Sequence, residues 1–208
     1  MTLPPVEHRG PTPTRVAGAD PAHVAAVVDL ARSASPTAVS GDAVVVAVDG
    51  RSGSGKTLLG TAVAHALGCP VVHLDAIYPG WDGLRGGVDL LTTHVLEPLA
   101  RGGQPAYPRW DWMRDRPGRT VEVDAGRLLV VEGCGALVPP AAGFAAVRVW
   151  LDAPDALRRE RALARDGEKY RPHWERWAAQ EDAVYATSRP WEGAHLVLTT
   201  ADPPEVGP

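Results

Sequence analysis

Gly50-Arg51-Ser52-Gly53-Ser54-Gly55-Lys56-Thr57 follows the pattern G-x-x-x-x-G-K-[ST] and stands between an apolar run, Ala43 to Val48, and a helix-like run, Lys56 to Leu67. The pattern describes a phosphate cradle. Its glycines let backbone N–H groups turn toward phosphate oxygens, and the N-terminus of the next helix adds positive potential at the same point. Gly50, Ser52, Gly53, Ser54, Gly55 and Lys56 then bind the nucleotide, with Lys56 on the β/γ-phosphates and Thr57 on Mg²⁺. Of 21 basic residues only Lys56 and Lys169 are lysines, so a scarce compact ammonium stands where arginine's planar fork would serve poorly. The plainer alternative is a Gly/Ser turn that merely joins strand to helix.

Outward from this stretch, strand and helix patterns alternate. Ala43 to Val48 is β-branched and almost wholly apolar, as expected of a strand buried on both faces of a parallel sheet. A helix over Lys56 to Leu67 ends at Gly68, and a second strand runs from Pro70 to Leu74. Helices are expected over Pro21 to Ser33, Val88 to Ala100, Pro154 to Asp166 and His173 to Thr187. Further strands are expected over Arg127 to Val131, Val147 to Leu151 and His195 to Thr199. This order predicts an α/β fold, a three-layer α/β/α sandwich around a mainly parallel sheet. Residues 1 to 19, rich in proline, read as a flexible arm, and 20 to 208 as a single domain.

Strand ends carry the candidate chemistry, because the ligand crevice of an open α/β sheet lies outside its carboxyl ends. Asp75 follows the second strand and can accept a proton from an attacking hydroxyl; its bland alternative is a helix cap. Glu132, before Gly133, ends the third strand and suits support of the metal through bound water; alternatively it faces solvent. Arg158, Arg161 and Arg165, spaced i, i+3 and i+7, share a helical face and can neutralise a moving phosphoryl group, or else belong to an ordinary salt-bridged surface helix. Tyr78, Trp81 and Asp82 on one side, and Tyr107, Trp110, Asp111 and Arg114 on the other, read as loops shaping an acceptor pocket, although each tryptophan alone is often plain packing.

Composition narrows the partners. A net charge of −4 gives no broad basic surface for nucleic acid or an anionic membrane, and no apolar run is long enough to span a bilayer. Cys69 and Cys134 are far apart and lack zinc-ligand spacing, so neither a disulfide framework nor a structural metal is expected. A reduced, cytoplasmic protein follows as the default.

With these residues together, the chain resembles the uridine kinase-like branch of the P-loop nucleoside and nucleotide kinases over roughly residues 43 to 200. Asp75-Ala76-Ile77-Tyr78 is similar to that family's Asp-x-x-Tyr segment, whose aspartate is the catalytic base. Glu132-Gly133 resembles its Glu-Gly strand end, Pro105-Ala106-Tyr107 with Asp111 its acceptor segment, and Arg158 through Arg165-Asp166 its arginine-bearing lid, here roughly residues 155 to 180. The insertion that helps seat the ribose in the family is replaced by the short Pro79-Gly80-Trp81-Asp82-Gly83-Leu84, and Trp112, Met113 and Arg114 stand where a histidine is expected. The resemblance implies an ATP- and Mg²⁺-dependent kinase acting on a small-molecule hydroxyl, such as that of a nucleoside. A sugar, natural product or nucleotide is the alternative acceptor. A switch or accessory ATPase acting through a protein partner is the rival of another class, and a degenerate fold that binds ATP without turnover is a third possibility.

Overall fold

The computed structural model describes residues 18–200; the expected arm falls almost entirely outside them. Five strands form one parallel sheet: β1 (Val44–Asp49), β2 (Val71–His73), β5 (Leu128–Glu132), β6 (Ala145–Asp152) and β7 (Leu196–Thr199), in the order β2-β5-β1-β6-β7. The two strands numbered between, β3 (Ala106–Asp111) and β4 (Arg116–Glu122), pair antiparallel as a separate ribbon. The chain leaves β1 in the middle of the sheet, runs out to the edge at β2, returns to β5 and crosses β1 to reach β6. A crevice therefore opens over the carboxyl end of β1, where the strand order reverses.

Alternation along the strands divides the core between two faces. Val46 and Val48 of β1, Val130 of β5 and Val147 and Val149 of β6 pack with helices α1 (Pro21–Ser33) and α2 (Lys56–Leu67). Val45 and Ala47, with Leu129 and Val131, face the opposite layer, which includes α3 (Leu84–Leu91) and α6 (Trp174–Ser188). This is the expected three-layer sandwich, and burial on both faces is why β1 and β5 read as unbroken apolar runs. α1 begins at Pro21 as expected, with the Asp20 carboxylate accepting the Ala22 N–H at 2.8 Å.

Two expectations are corrected. The third helix starts at Leu84 rather than Val88, and its run toward α4 (Glu97–Ala100) passes through a π-helical turn over Thr92–Leu96. Pro98 lacks the N–H for a regular helical bond, and the widened turn carries the chain up to it. Residues 105–114, expected as a loop, instead contain β3. A two-stranded ribbon has open edges, so Pro108 sits within it opposite Thr120 without breaking a central ladder.

Candidate functional site

The loop from Gly50 to Gly55 rises from β1 into α2. Gly50, Gly53 and Gly55 have φ of 153°, 82° and 98°. A Cβ at Gly50 would lie 2.1 Å from the carbonyl oxygen of Leu151, and one at Gly53 2.0 Å from that of Arg158. Glycine is thus demanded by both backbone angle and close approach. Among the described residues no hydrogen bond takes up the backbone N–H of Gly53, Gly55, Lys56 or Thr57, and no side chain caps α2. Four donors at a helix N-terminus make a cradle suited to phosphate oxygens. The buried Ser54 hydroxyl also has no partner among the described residues.

Lys56 is buried, and its Nζ donates to the carbonyl of Arg51 at 3.0 Å and lies 3.5 Å from Cys134 Sγ. Burial opposes its ammonium form, but the negative charges around it, those of Glu132, Glu181 and Asp75 among them, hold its pKa above the ordinary lysine value. Thr57 Oγ1 donates to Glu132 at 3.2 Å, and His73 Nδ1 stands 2.6 Å from the same carboxylate oxygen. Parallel pairing causes this meeting, since His73 and Glu132 are register partners at the ends of β2 and β5. Glu132 is therefore buried beside the cradle, not pointed to solvent. No group of three or more His, Cys, Asp or Glu side chains among the described residues could hold a metal unaided. A magnesium ion at Thr57 and Glu132 would complete its shell with water and phosphate oxygens, as this hard ion ordinarily does.

Asp75 lies in a 3₁₀ turn (Leu74–Ala76) directly after β2. It is open to solvent at the crevice rim, yet protein atoms crowd around it. That crowding raises the carboxyl pKa, with help from the charge of Glu132, while Arg165 and Lys56 pull it down. The acceptor side closes on the same turn: Trp112, after β3, donates its indole N–H to the Asp75 carbonyl at 2.8 Å. Trp81 packs on Trp112 at 4.7 Å and stacks near-parallel on Tyr170 and His173 at 5.3 and 4.3 Å between ring centroids.

Several sequence-derived roles change here. Trp81, expected to help shape an acceptor pocket, is engaged by these protein rings, the plain-packing alternative. Tyr78 is a core residue, with its hydroxyl donating to the Cys134 carbonyl at 2.8 Å, and Tyr107 is buried too. Asp82 pairs with Arg176, and Asp111 caps its own turn by accepting the Met113 and Arg114 N–H groups as well as the Arg114 guanidinium. Trp110 is half-buried, and its indole N–H has no partner among the described residues.

The three arginines lie on α5 (Asp155–Asp166) in unlike surroundings. Arg158 is buried and donates to the carbonyls of Ala153 and Ser52 at 3.2 and 3.1 Å, with Asp155 at 2.5 Å. It clamps the phosphate loop from behind, which corrects its expected place against the moving phosphoryl group. Arg161 donates to Thr200 Oγ1 at 2.8 Å. Arg165 forks onto Asp166, and its charge is among those that lower the Asp75 carboxyl pKa.

Sequence reading missed the buried carboxylates that organise the loop. Asp49 ends β1 and accepts the N–H groups of Gly50, Gly135 and Leu137 at 2.7, 2.9 and 2.8 Å, together with the Tyr185 hydroxyl at 2.7 Å. Burial raises its pKa against the pull of these donors. Its position immediately before Gly50 was the available signal. Glu181 on α6 accepts the Ser52 N–H at 2.7 Å, and only its spacing from Trp177 and Tyr185 hinted at an inward face. His73 had no signal before the strands were paired.

No protein-family profile and no curated protein matches the chain. Among solved structures it is similar to one described as a possible uridine kinase from Bacillus stearothermophilus. The identity is 20% and the TM-score 0.61, over 85% of this chain and 97% of that one. A looser likeness, TM-score 0.47 at 19% identity, covers 77% of this chain and 86% of a shikimate kinase from Acinetobacter baumannii. The first likeness and the geometry above agree on the class of fold: a P-loop α/β sandwich with a parallel sheet.

Proposed function

We propose that the protein is an ATP- and Mg²⁺-dependent kinase that phosphorylates a hydroxyl of a small molecule. The observation that carries this reading is one crevice holding both the cradle, with its four open N–H groups and Lys56, and the Asp75 carboxylate at its rim. Bound Mg·ATP would supply the transferable γ-phosphoryl group. Lys56 and the loop N–H groups hold its phosphates, and Thr57 and Glu132 hold the metal, the latter through water. His73 fixes the Glu132 carboxylate in its orientation. Asp75 takes the proton of the acceptor hydroxyl, and Arg165 with Arg161 offsets the charge that spreads over the phosphoryl oxygens.

Residues 155–180 serve as the lid, whose aromatic contacts through Tyr170 and His173 already reach the acceptor side. The protein acts in the cytoplasm on a free metabolite, with no nucleic acid or membrane as partner; among the described residues no helix is long and apolar enough to cross a bilayer. A nucleoside is the leading acceptor class, supported by the likeness to the possible uridine kinase, with sugars, natural products and nucleotides as alternatives. The test is incubation with ATP, Mg²⁺ and a pooled set of nucleosides, sugars and other hydroxyl-bearing metabolites, followed by mass spectrometry. One pool member should gain a phosphoryl group. Nucleotide-dependent capture of a protein partner, with no metabolite phosphorylated, would favour the switch reading instead.

Glu132 gives a further expectation. Glu132→Gln keeps an acceptor for Thr57 but loses the charge, so the Mg²⁺ concentration for half-maximal turnover should rise roughly 10–100-fold, as for other changes behind a metal's direct ligands. A magnesium titration of turnover measures it. An unchanged requirement would remove Glu132 from the metal's surroundings.

A further inference from the structure

α6 presents two adjoining stripes, each with residues four apart. Trp177, Glu181 and Tyr185 face the root of the phosphate loop. Glu181 Oε1 accepts the Ser52 N–H at 2.7 Å, the Trp177 indole N–H at 3.0 Å and the Cys134 thiol at 3.2 Å, and Tyr185 donates to Asp49. Burial holds the Cys134 thiol well above its ordinary pKa, so it remains a donor. On the exposed side Asp182 accepts from Arg51 at 2.6 Å.

The neighbouring stripe holds the acceptor loop. Gln180 Nε2 donates to the Trp81 carbonyl at 2.8 Å, and Gln180 Oε1 accepts the Leu84 N–H at 3.3 Å, one of the otherwise open donors at the start of α3. Arg176 pairs with Asp82, but that pair is exposed and contributes little. Gln180 and Glu181 are consecutive, so a single helical turn grips both the donor loop and the acceptor loop. Glu181 is 1% exposed, and a carboxylate so buried is costly unless its geometry is useful.

We infer that Glu181 and Gln180 are positioning residues that couple the two halves of the site, so that a nucleotide in the cradle orders the loop around Trp81 to Leu84 before an acceptor arrives. This rests on the kinase reading of the cradle. Phosphate entering the cradle competes for Lys56, now held on the Arg51 carbonyl next to Ser52. A shift of the loop there bears directly on the Ser52–Glu181 bond, and α6 carries it to Gln180. Trp177 adds stiffness, since its ring meets Tyr78 edge-on at 4.8 Å.

The test combines calorimetry of Mg·ADP binding with hydrogen exchange on the full chain, and needs no known acceptor. In the wild type, saturating Mg·ADP should slow exchange across residues 81–87 by roughly fivefold or more, the lower end of usual coupling factors. Gln180→Ala should bind Mg·ADP within about twofold of wild type while losing most of that slowing. Gln180→Glu keeps the acceptor for Leu84 and loses the donor to Trp81, so it should show an intermediate effect and guards against a folding artefact. Glu181→Ala should weaken Mg·ADP binding as well as transmission, and Glu181→Gln, which retains an acceptor for Ser52, should restore part of both. Equal slowing in Gln180→Ala and wild type, or Mg·ADP binding by wild type with no change across residues 81–87, would overturn the coupling while leaving the cradle intact. No binding of Mg·ADP to wild type would overturn both.

Discussion

Replacing Asp75 with Asn should lower phosphoryl transfer by a factor of ~10²–10⁴ while leaving nucleotide affinity nearly unchanged. The argument begins with backbone placement. Asp75 follows β2 at the carboxyl end of the sheet, and the 3₁₀ turn after it is tied to the acceptor side by the Trp112 indole N–H. Crowding and the charge of Glu132 raise its pKa, which strengthens it as a base, and nearby Lys56 and Arg165 keep the carboxylate accessible. Asparagine matches the shape but cannot take the proton. Turnover with the identified acceptor should therefore fall, and Mg·ADP affinity should not. Undiminished turnover would require a different base and would detach Asp75 from the chemistry.

Gly53→Ala should destabilise the fold by roughly 2–4 kcal/mol and abolish nucleotide binding. Gly53 combines a φ of 82° with a tight approach to α5, where an added Cβ would meet the Arg158 carbonyl oxygen at 2.0 Å and its carbon at 2.6 Å. Both obstacles are backbone, and Arg158 itself holds the Ser52 carbonyl, so neither segment can withdraw without losing the other. For a chain of this size the loss corresponds to a fall in melting temperature on the order of 10 °C. Thermal unfolding measures it; an unchanged midpoint would mean that loop and helix are not packed as described.

Much of this was legible because the determining signals are local. The apolar β-branched run before Gly50 and the glycines after it place β1, the cradle and α2 without knowledge of any partner strand. Asp75 and Glu132 could be singled out because strand ends in an alternating α/β chain face one side. The ribbon β3–β4 was obscured by Pro105 and Pro108, which signal loops unless the strand is an edge. The spacing of Arg158, Arg161 and Arg165 gave a common helical face but could not reveal that Arg158 turns under the loop. Least legible were the contacts across the fold: Ser52 and Glu181 are separated by 129 positions, and Asp49 and Tyr185 by 136. Only the packing of α6 over the end of the sheet brings them together. The stacking of Trp81 on Tyr170 and His173 belongs with these, since a tryptophan in a Gly-Pro loop reads equally as pocket or packing.

Titration calorimetry of Mg²⁺ with a non-hydrolysable ATP analogue, run on wild type and Lys56→Ala, tests the phosphate cradle directly. Saturable binding of one nucleotide per wild-type chain is predicted, weakened at least roughly tenfold, about 1.4 kcal/mol, once the Lys56 ammonium is removed. Absence of binding to the wild type, or the same affinity in both proteins, would contradict it.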